Sequence, residues 1–301
     1  LTQTAQTEVG TIKRIVAKHA RDAFVSQQSV AAQWRDLNYL GQPDFTCAMR
    51  EYDDFIAILE SFDIEIDLLP RAEGVGLDSI YVRDASIVCD RGVILCSMGK
   101  HQRRAEPEAQ AAALAGLGLE LLGRVSEPAT IEGGDVVWLG DGSVVVGISR
   151  RTDEAGAGQL RDMLGDCVDQ VVLVRLPDWG GPGDVFHLMS ILSPIDHDLA
   201  LVYSPLTPAP LREALLARGY RLVEVPDQEF ATMGCNVLAV APRRCVMLSG
   251  NPVTRARLER AGADVVMYDG AQISMKGAGG PTCLTRPIVR EAGSGPPLPH
   301  P

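Results

Sequence analysis

Several things are missing from this sequence. No apolar run approaches the roughly 18–20 residues that a membrane-spanning helix needs. No Cys-x-x-Cys pair or zinc-like spacing occurs, and seven cysteines fall singly at 47, 89, 96, 167, 235, 245 and 283. An odd, scattered set argues against a disulfide framework and for reduced thiols in a cytoplasm. The first residues, Leu1-Thr2-Gln3-Thr4, show no basic stretch followed by an apolar core, so no secretory leader is visible. Positive charge is in deficit: 28 Lys and Arg against 39 Asp and Glu leave a net charge of -11. That argues against a nucleic-acid groove and a polybasic membrane contact, and is compatible with a cationic partner.

What is present is a soluble globular composition, 46% hydrophobic and 22% charged over 301 residues. The length suits one large domain or two small ones. A pattern recurs. Ser86–Cys89 and Val93–Cys96 flank a turn and read as a hairpin. Asp135–Leu139 and Val144–Gly147 do the same around Gly140-Asp141-Gly142. So do Met189–Leu192 with Leu199–Tyr203, and Asn236–Val240 with Cys245–Leu248. A helical stretch and a further strand follow each hairpin: 107–117 then 119–122, a helix N-capped by Thr152 then 171–174, 208–218 then 221–225, and 252–261, capped by Asn251, then 265–268. The turns recur at about 50-residue intervals, a period that suggests radial or stacked units. A partial fifth unit, helix 51–61 and strand 64–69, lacks a strand that Cys283–Val289 could supply from the other end of the chain. An ordinary open α/β sandwich is the competing architecture. Residues 1–40 read as an appended helical segment, 41–291 as one catalytic domain and the Pro/Gly-rich 292–301 as a loose tail.

Four segments place polar residues beside glycines or at strand entrances. They are Asp78-Ser79-Ile80-Tyr81-Val82-Arg83-Asp84, Glu132-Gly133-Gly134-Asp135, Phe186-His187-Leu188-Met189-Ser190, and Gly279-Gly280-Pro281-Thr282-Cys283. A closed ring would bring all four to one axis. A thiol, an imidazole and two or three carboxylates together suit covalent attack on a cation, with the histidine moving protons. Taken singly, each has a blander reading: a buried apolar cysteine, a structural histidine, a glycine turn, an exposed Arg83–Asp84 pair. Asp135 reads as structural; His19, His101 and His197 read as surface residues; Cys89, Cys96, Cys167, Cys245 and Trp138 read as packing, and Cys235 as a lesser candidate for a second thiol at the site.

From about Pro43 to Glu291 the chain resembles the guanidine-modifying enzymes: dimethylarginine dimethylaminohydrolases, arginine deiminases and amidinotransferases. The motifs that carry the likeness are Glu132-Gly133-Gly134-Asp135 with Ser149-Arg150-Arg151-Thr152, His187-Leu188-Met189-Ser190, Gly234-Cys235-Asn236-Val237-Leu238, and Gly279 to Pro287, in that order. The resemblance implies an α/β fold, the five-bladed α/β propeller (pentein) of repeated ββαβ units. It implies Cys283 as nucleophile forming a thiouronium adduct, His187 as proton donor and then activator of water, and Glu132 as its orienting partner. Asp84 would bind the guanidinium, with Arg83 beside it, Asp78 would meet an α-amino group, and Arg151 an α-carboxylate. No metal or other cofactor is implied. The partner would be a small cationic guanidino substrate, and a homodimer is left open.

Departures from the pattern bear on substrate. Arg83-Asp84 is similar to the deiminases and amidinotransferases, yet Met189 stands where deiminases carry an aspartate. Ser97 or Met98 stands where a carboxylate-binding arginine is expected, with Lys100, Arg103 and Arg104 as nearby substitutes. Three readings stay open: a hydrolase of arginine or an N-substituted arginine giving citrulline or a ureido product, an amidinotransferase, and a non-catalytic binding protein on the same fold.

Overall fold

A computed structural model describes residues 3–140, 142–179 and 186–291. The chain opens with β1 (Gln3–Thr4), β2 (Thr11–Ala17), α1 (Ala20–Phe24), α2 (Gln27–Gln33), α3 (Phe45–Glu60) and β3 (Glu65–Leu68). Four units of strand, strand, helix and strand follow. The first is β4 (Ser86–Cys89), β5 (Gly92–Leu95), α4 (Glu106–Gly116) and β6 (Leu121–Arg124). The second is β7 (Val136–Trp138), β8 (Ser143–Ile148), α5 (Glu154–Leu164) and β9 (Gln170–Arg175). The third is β10 (Leu192–Asp196), β11 (Leu199–Val202), α6 (Ala209–Ala217) and β12 (Arg221–Glu224); a short α7 (Asp227–Phe230) comes next. The fourth is β13 (Val237–Ala241), β14 (Arg244–Leu248), α8 (Pro252–Arg260) and β15 (Asp264–Tyr268), and β16 (Thr285–Glu291) ends the described chain.

Each unit forms its own three-stranded sheet, an antiparallel hairpin whose second strand pairs parallel with the third. The fifth sheet repeats the scheme with strands from both ends, in the order β1-β16-β2-β3, β16 and β2 antiparallel and β2 and β3 parallel. The expected contribution of the C-terminal strand is therefore present. Its direct partner, however, is Thr11–Ala17, which corrects the reading of residues 1–40 as wholly helical. Thr11-Ile12-Lys13-Arg14-Ile15-Val16 is rich in β-branched residues, and Ile12, Ile15 and Val16 are buried in the sheet. The helical component of that segment is confined to α1 and α2. The proposed tail, 292–301, lies outside the described residues, as does Asp141 of the second hairpin turn.

Strand order and burial go together. The paired strands β4, β5, β8 and β11 are buried at every position, whereas the third strands β3 and β6 are exposed at both ends. Hydrophobic clusters fill the space between sheets and helices. One of them gathers Ile15, Phe24, Tyr52, Phe55 and Leu284, and Cys283 packs against it. Two capping expectations change partner. The side chain that caps α5 is Asp153, which accepts from the Gly156 amide at 2.7 Å. At α8 the Glu229 carboxylate accepts from Val253 and Thr254, at 2.8 and 2.7 Å, while Asn251 donates to Leu248 and Thr232 carbonyls. The third hairpin starts at Leu192, because Leu188–Ser190 form a 3-10 turn fixed by the Asp135 carboxylate on the Leu188 amide, 2.9 Å.

Candidate active site

The first strand of each of the four units, and β16, is entered through a polar residue. Asp84 lies just before β4, Glu132 opens the turn before β7, His187 the turn before β10, Asn236 adjoins β13, and Cys283 precedes β16. The segments are tied to one another: the Gly133 amide donates to the Asp84 carbonyl (2.9 Å) and the Arg83 amide to the Cys283 carbonyl (3.2 Å). Asn236 Oδ1 accepts from both the Thr282 amide (3.1 Å) and its hydroxyl (2.7 Å).

His187 sits between two carboxylates, Nε2 at 2.8 Å from Glu132 Oε2 and Nδ1 at 3.7 Å from Asp84 Oδ1. Burial alone would lower its pKa. The charges of Asp84 and Asp135 and the bond to Glu132 outweigh that and raise it to about 9. Glu132, fully buried, is held well below the usual carboxylate range in spite of desolvation, by His187 and then by Arg151. The contact thus favours the imidazolium form of His187 and the carboxylate form of Glu132. The second oxygen of Glu132 accepts from the Lys100 amide at 3.2 Å and from Arg151 Nη1 at 3.3 Å, and the Thr152 hydroxyl accepts from the Glu132 amide at 3.1 Å. Asp135 is structural, as expected, bound by the Ser149 hydroxyl (2.7 Å) and the Leu188 amide.

Cys283 is half-buried. Desolvation and then the Asp84 charge push its thiol up to about 11, against hydrogen bonds from Asn236, whose Nδ2 lies 3.5 Å from Sγ, and from Thr282. A bound cation would favour the thiolate. The thiol sits where two cavities meet. One carries charged side chains, Asp78, Asp84, Lys100 and Arg103, beside Tyr81 and Leu37. The other, about 130 Å³, contains His187, Ser190 and Asn236 among Trp179, Phe186, Met189, Phe230 and Met233. Gly134 keeps the floor open: a Cβ there would stand 2.5 Å from His187 Nδ1 and 2.8 Å from Asp84 Oδ1. Asp84 Oδ1 is buried and has no hydrogen-bond partner, so it can accept from a cation.

Several residues singled out in the sequence have partners within the protein. Arg83 does not line either cavity; its guanidinium donates to the Thr282 carbonyl and to Glu8. Arg151 is turned to Glu132 and is not among the residues of the charged cavity. Asp78 is held by Lys100 Nζ at 2.6 Å, and Asp84 Oδ2 by Arg103 Nη1 at 2.6 Å. Arg103 also grips Glu106. Lys100 and Arg103, read from sequence only as substitutes for a missing arginine, are thus the partners of the two acids; Arg104 is at the surface with Glu127. Cys235 is buried, its Sγ against the Leu201 carbonyl, and is a core residue. His19 is buried too: it caps α1 and meets Asp53 at 3.0 Å. Asn236 is a site residue that the sequence does not single out; its position just before β13 is the signal that could find it. Asp84, Glu132 and His187 could in geometry hold a metal ion, but the short contact of His187 with Glu132 already uses those ligand atoms.

A family model described as N,N dimethylarginine dimethylhydrolase, eukaryotic, matches residues 33–290. The Bacillus subtilis protein YkgA is 30% identical over 240 residues, 80% of this chain and 79% of its own length. The N(G),N(G)-dimethylarginine dimethylaminohydrolase of Pseudomonas aeruginosa is 27% identical over 248 residues, 82% of this chain and 91% of its own. A solved structure of the Pseudomonas aeruginosa enzyme, with a cysteine changed to serine and citrulline bound, superposes with a TM-score of 0.74 at 25% identity, covering 91% of this chain and 98% of that one.

Proposed function

The chain belongs to the N,N-dimethylarginine dimethylhydrolase family, and from that premise we propose that it is a cysteine-dependent hydrolase of a guanidino C–N bond. The observation that carries the reading is the buried Asp84 Oδ1, without a hydrogen-bond partner and 3.7 Å from His187 Nδ1, in the cavity that Cys283 also lines. The five sheets are read as blades of an α/β propeller, with these groups at its axis. Residues 41–291 together with strand β2 are read as a single catalytic domain.

A guanidinium seats an N–H on Asp84, and its charge lowers the thiol pKa, so that Cys283 loses its proton to solvent. The thiolate adds to the central carbon. The C–N bond breaks, its electrons go to the departing amine, and His187 donates a proton to that amine. A thiouronium remains on Cys283. Water attacks it and gives one proton to His187; the tetrahedral adduct expels the thiolate and loses the second proton to solvent, leaving a neutral ureido product. Glu132 holds the imidazole and stabilises its charge, while Arg151 and Thr152 hold Glu132.

Asp78 and Arg151, implied contacts for an α-amino group and an α-carboxylate, have internal partners. Both cations of the charged cavity are paired with carboxylates. This supports a guanidine whose tail is not anchored through a carboxylate. The test is a screen of arginine, N-methylated arginines, agmatine and simple guanidines for ureido product, with and without acceptor amines. A ureido product, lost in Cys283→Ser with the fold intact, supports hydrolysis. New guanidines formed only with added amines would instead favour an amidinotransferase, and turnover unchanged by Cys283→Ser would sink the mechanism.

A further inference from the structure

Cys283 is shared by two cavities: one carries the charged side chains Asp78, Asp84, Lys100 and Arg103, the other carries none of these and contains His187 among mostly apolar side chains. A general acid has to reach the nitrogen it protonates, so the departing amine belongs on the His187 side and the substrate's retained tail on the charged side. The apolar walls are Trp179, Phe186, Met189, Phe230 and Met233, with Ala231 exposed at the rim. Phe230 stacks on Tyr203 with ring centroids 3.9 Å apart and meets Trp179 edge-on at 5.8 Å, which fixes one wall. At about 130 Å³ this cavity exceeds what a hydrogen or a pair of methyl groups would fill.

Resting on the hydrolase reading, we propose that the preferred substrate carries a bulky apolar group, branched alkyl or benzyl, on the nitrogen that leaves, seated against Trp179, Met189 and Phe230. Met189 is the specificity residue of this arrangement: a carboxylate there would favour an unsubstituted NH₂, whereas the thioether offers only apolar contact.

The experiment is competition against alkylation of Cys283 by a haloacetamidine, followed by intact mass. The competitors are guanidinium, N-methylguanidinium, N-isobutylguanidinium and N-benzylguanidinium. Protection should strengthen by about fourfold per buried methylene, and the gain of benzyl over methyl should vanish in Ala231→Phe, which fills the rim from an exposed position. Equal protection by all four, or a benzyl gain that persists in folded Ala231→Phe, overturns the proposal while the hydrolase reading stands. Absence of any labelling of Cys283 by the haloacetamidine would overturn both.

Discussion

Glu132→Gln preserves the shape of the side chain and removes its charge, which isolates what holds His187 as an imidazolium. In the wild type, burial is outweighed by Asp84, Asp135 and Glu132, and the pKa stands at about 9 instead of 6.5. That rise is worth roughly 3 kcal/mol in favour of the charged form. Glu132 supplies one of three acidic charges and the 2.8 Å hydrogen bond besides. Its loss should therefore remove on the order of a third or more, dropping the imidazole by about one pKa unit or further. The assay is NMR titration of the His187 ring, assigned by comparison with His187→Asn. Stability gives an independent reading. A folded pKa above the unfolded one stabilises fully below about pH 6.5, and the contribution is lost as pH rises through about 9. The wild type should lose this stability across that window, and Glu132→Gln should lose about 1.4 kcal/mol less. A His187 signal that titrates at the wild-type pH in Glu132→Gln would refute the electrostatic account.

Three further outcomes are expected. Alkylation of Cys283 by iodoacetamide in the free protein should inflect at about pH 11 and move down when guanidinium is bound; an inflection below about 8 without ligand contradicts the burial argument. Gly134→Ala should cut turnover at least about tenfold by displacing His187 or Asp84, with intrinsic fluorescence unchanged; full activity would show that the floor has slack. Arg103→Met strands Asp84 and Glu106 without their cation, so calorimetry should show a loss of roughly 3–5 kcal/mol; a melting temperature equal to wild type would mean that this pair is not needed.

Much of the frame was legible because local rules agreed. Hairpins betrayed by β-branched runs around Asp-Arg-Gly or Pro-Arg-Arg turns formed near the expected positions, as did α4, α6 and α8. The glycine- and strand-entrance residues Asp84, Glu132, His187 and Cys283 did converge. What failed depended on partners distant in sequence. Thr11–Ala17 became a strand because β16 and β3 flank it, and its mixed Lys-Arg-Ile spacing also fits an amphipathic helix. Arg83 and Arg151 are charged residues within the right motifs, but which carboxylate each one meets is a three-dimensional fact. The aromatic wall of Trp179 and Phe230 comes from two connections with no shared motif, so no spacing could announce it.

The fifth sheet has a kinetic side. Four sheets pair strands close together in sequence, while β16 has to find β2 across the whole chain, and such non-local pairing is slow to form. Four sheets can therefore stand, with Glu132 and His187 already in contact, before the thiol has a fixed place. Catalytic competence then arrives in one late event, the docking of the last strand. A chain interrupted before Thr285 would be mostly folded and wholly inert.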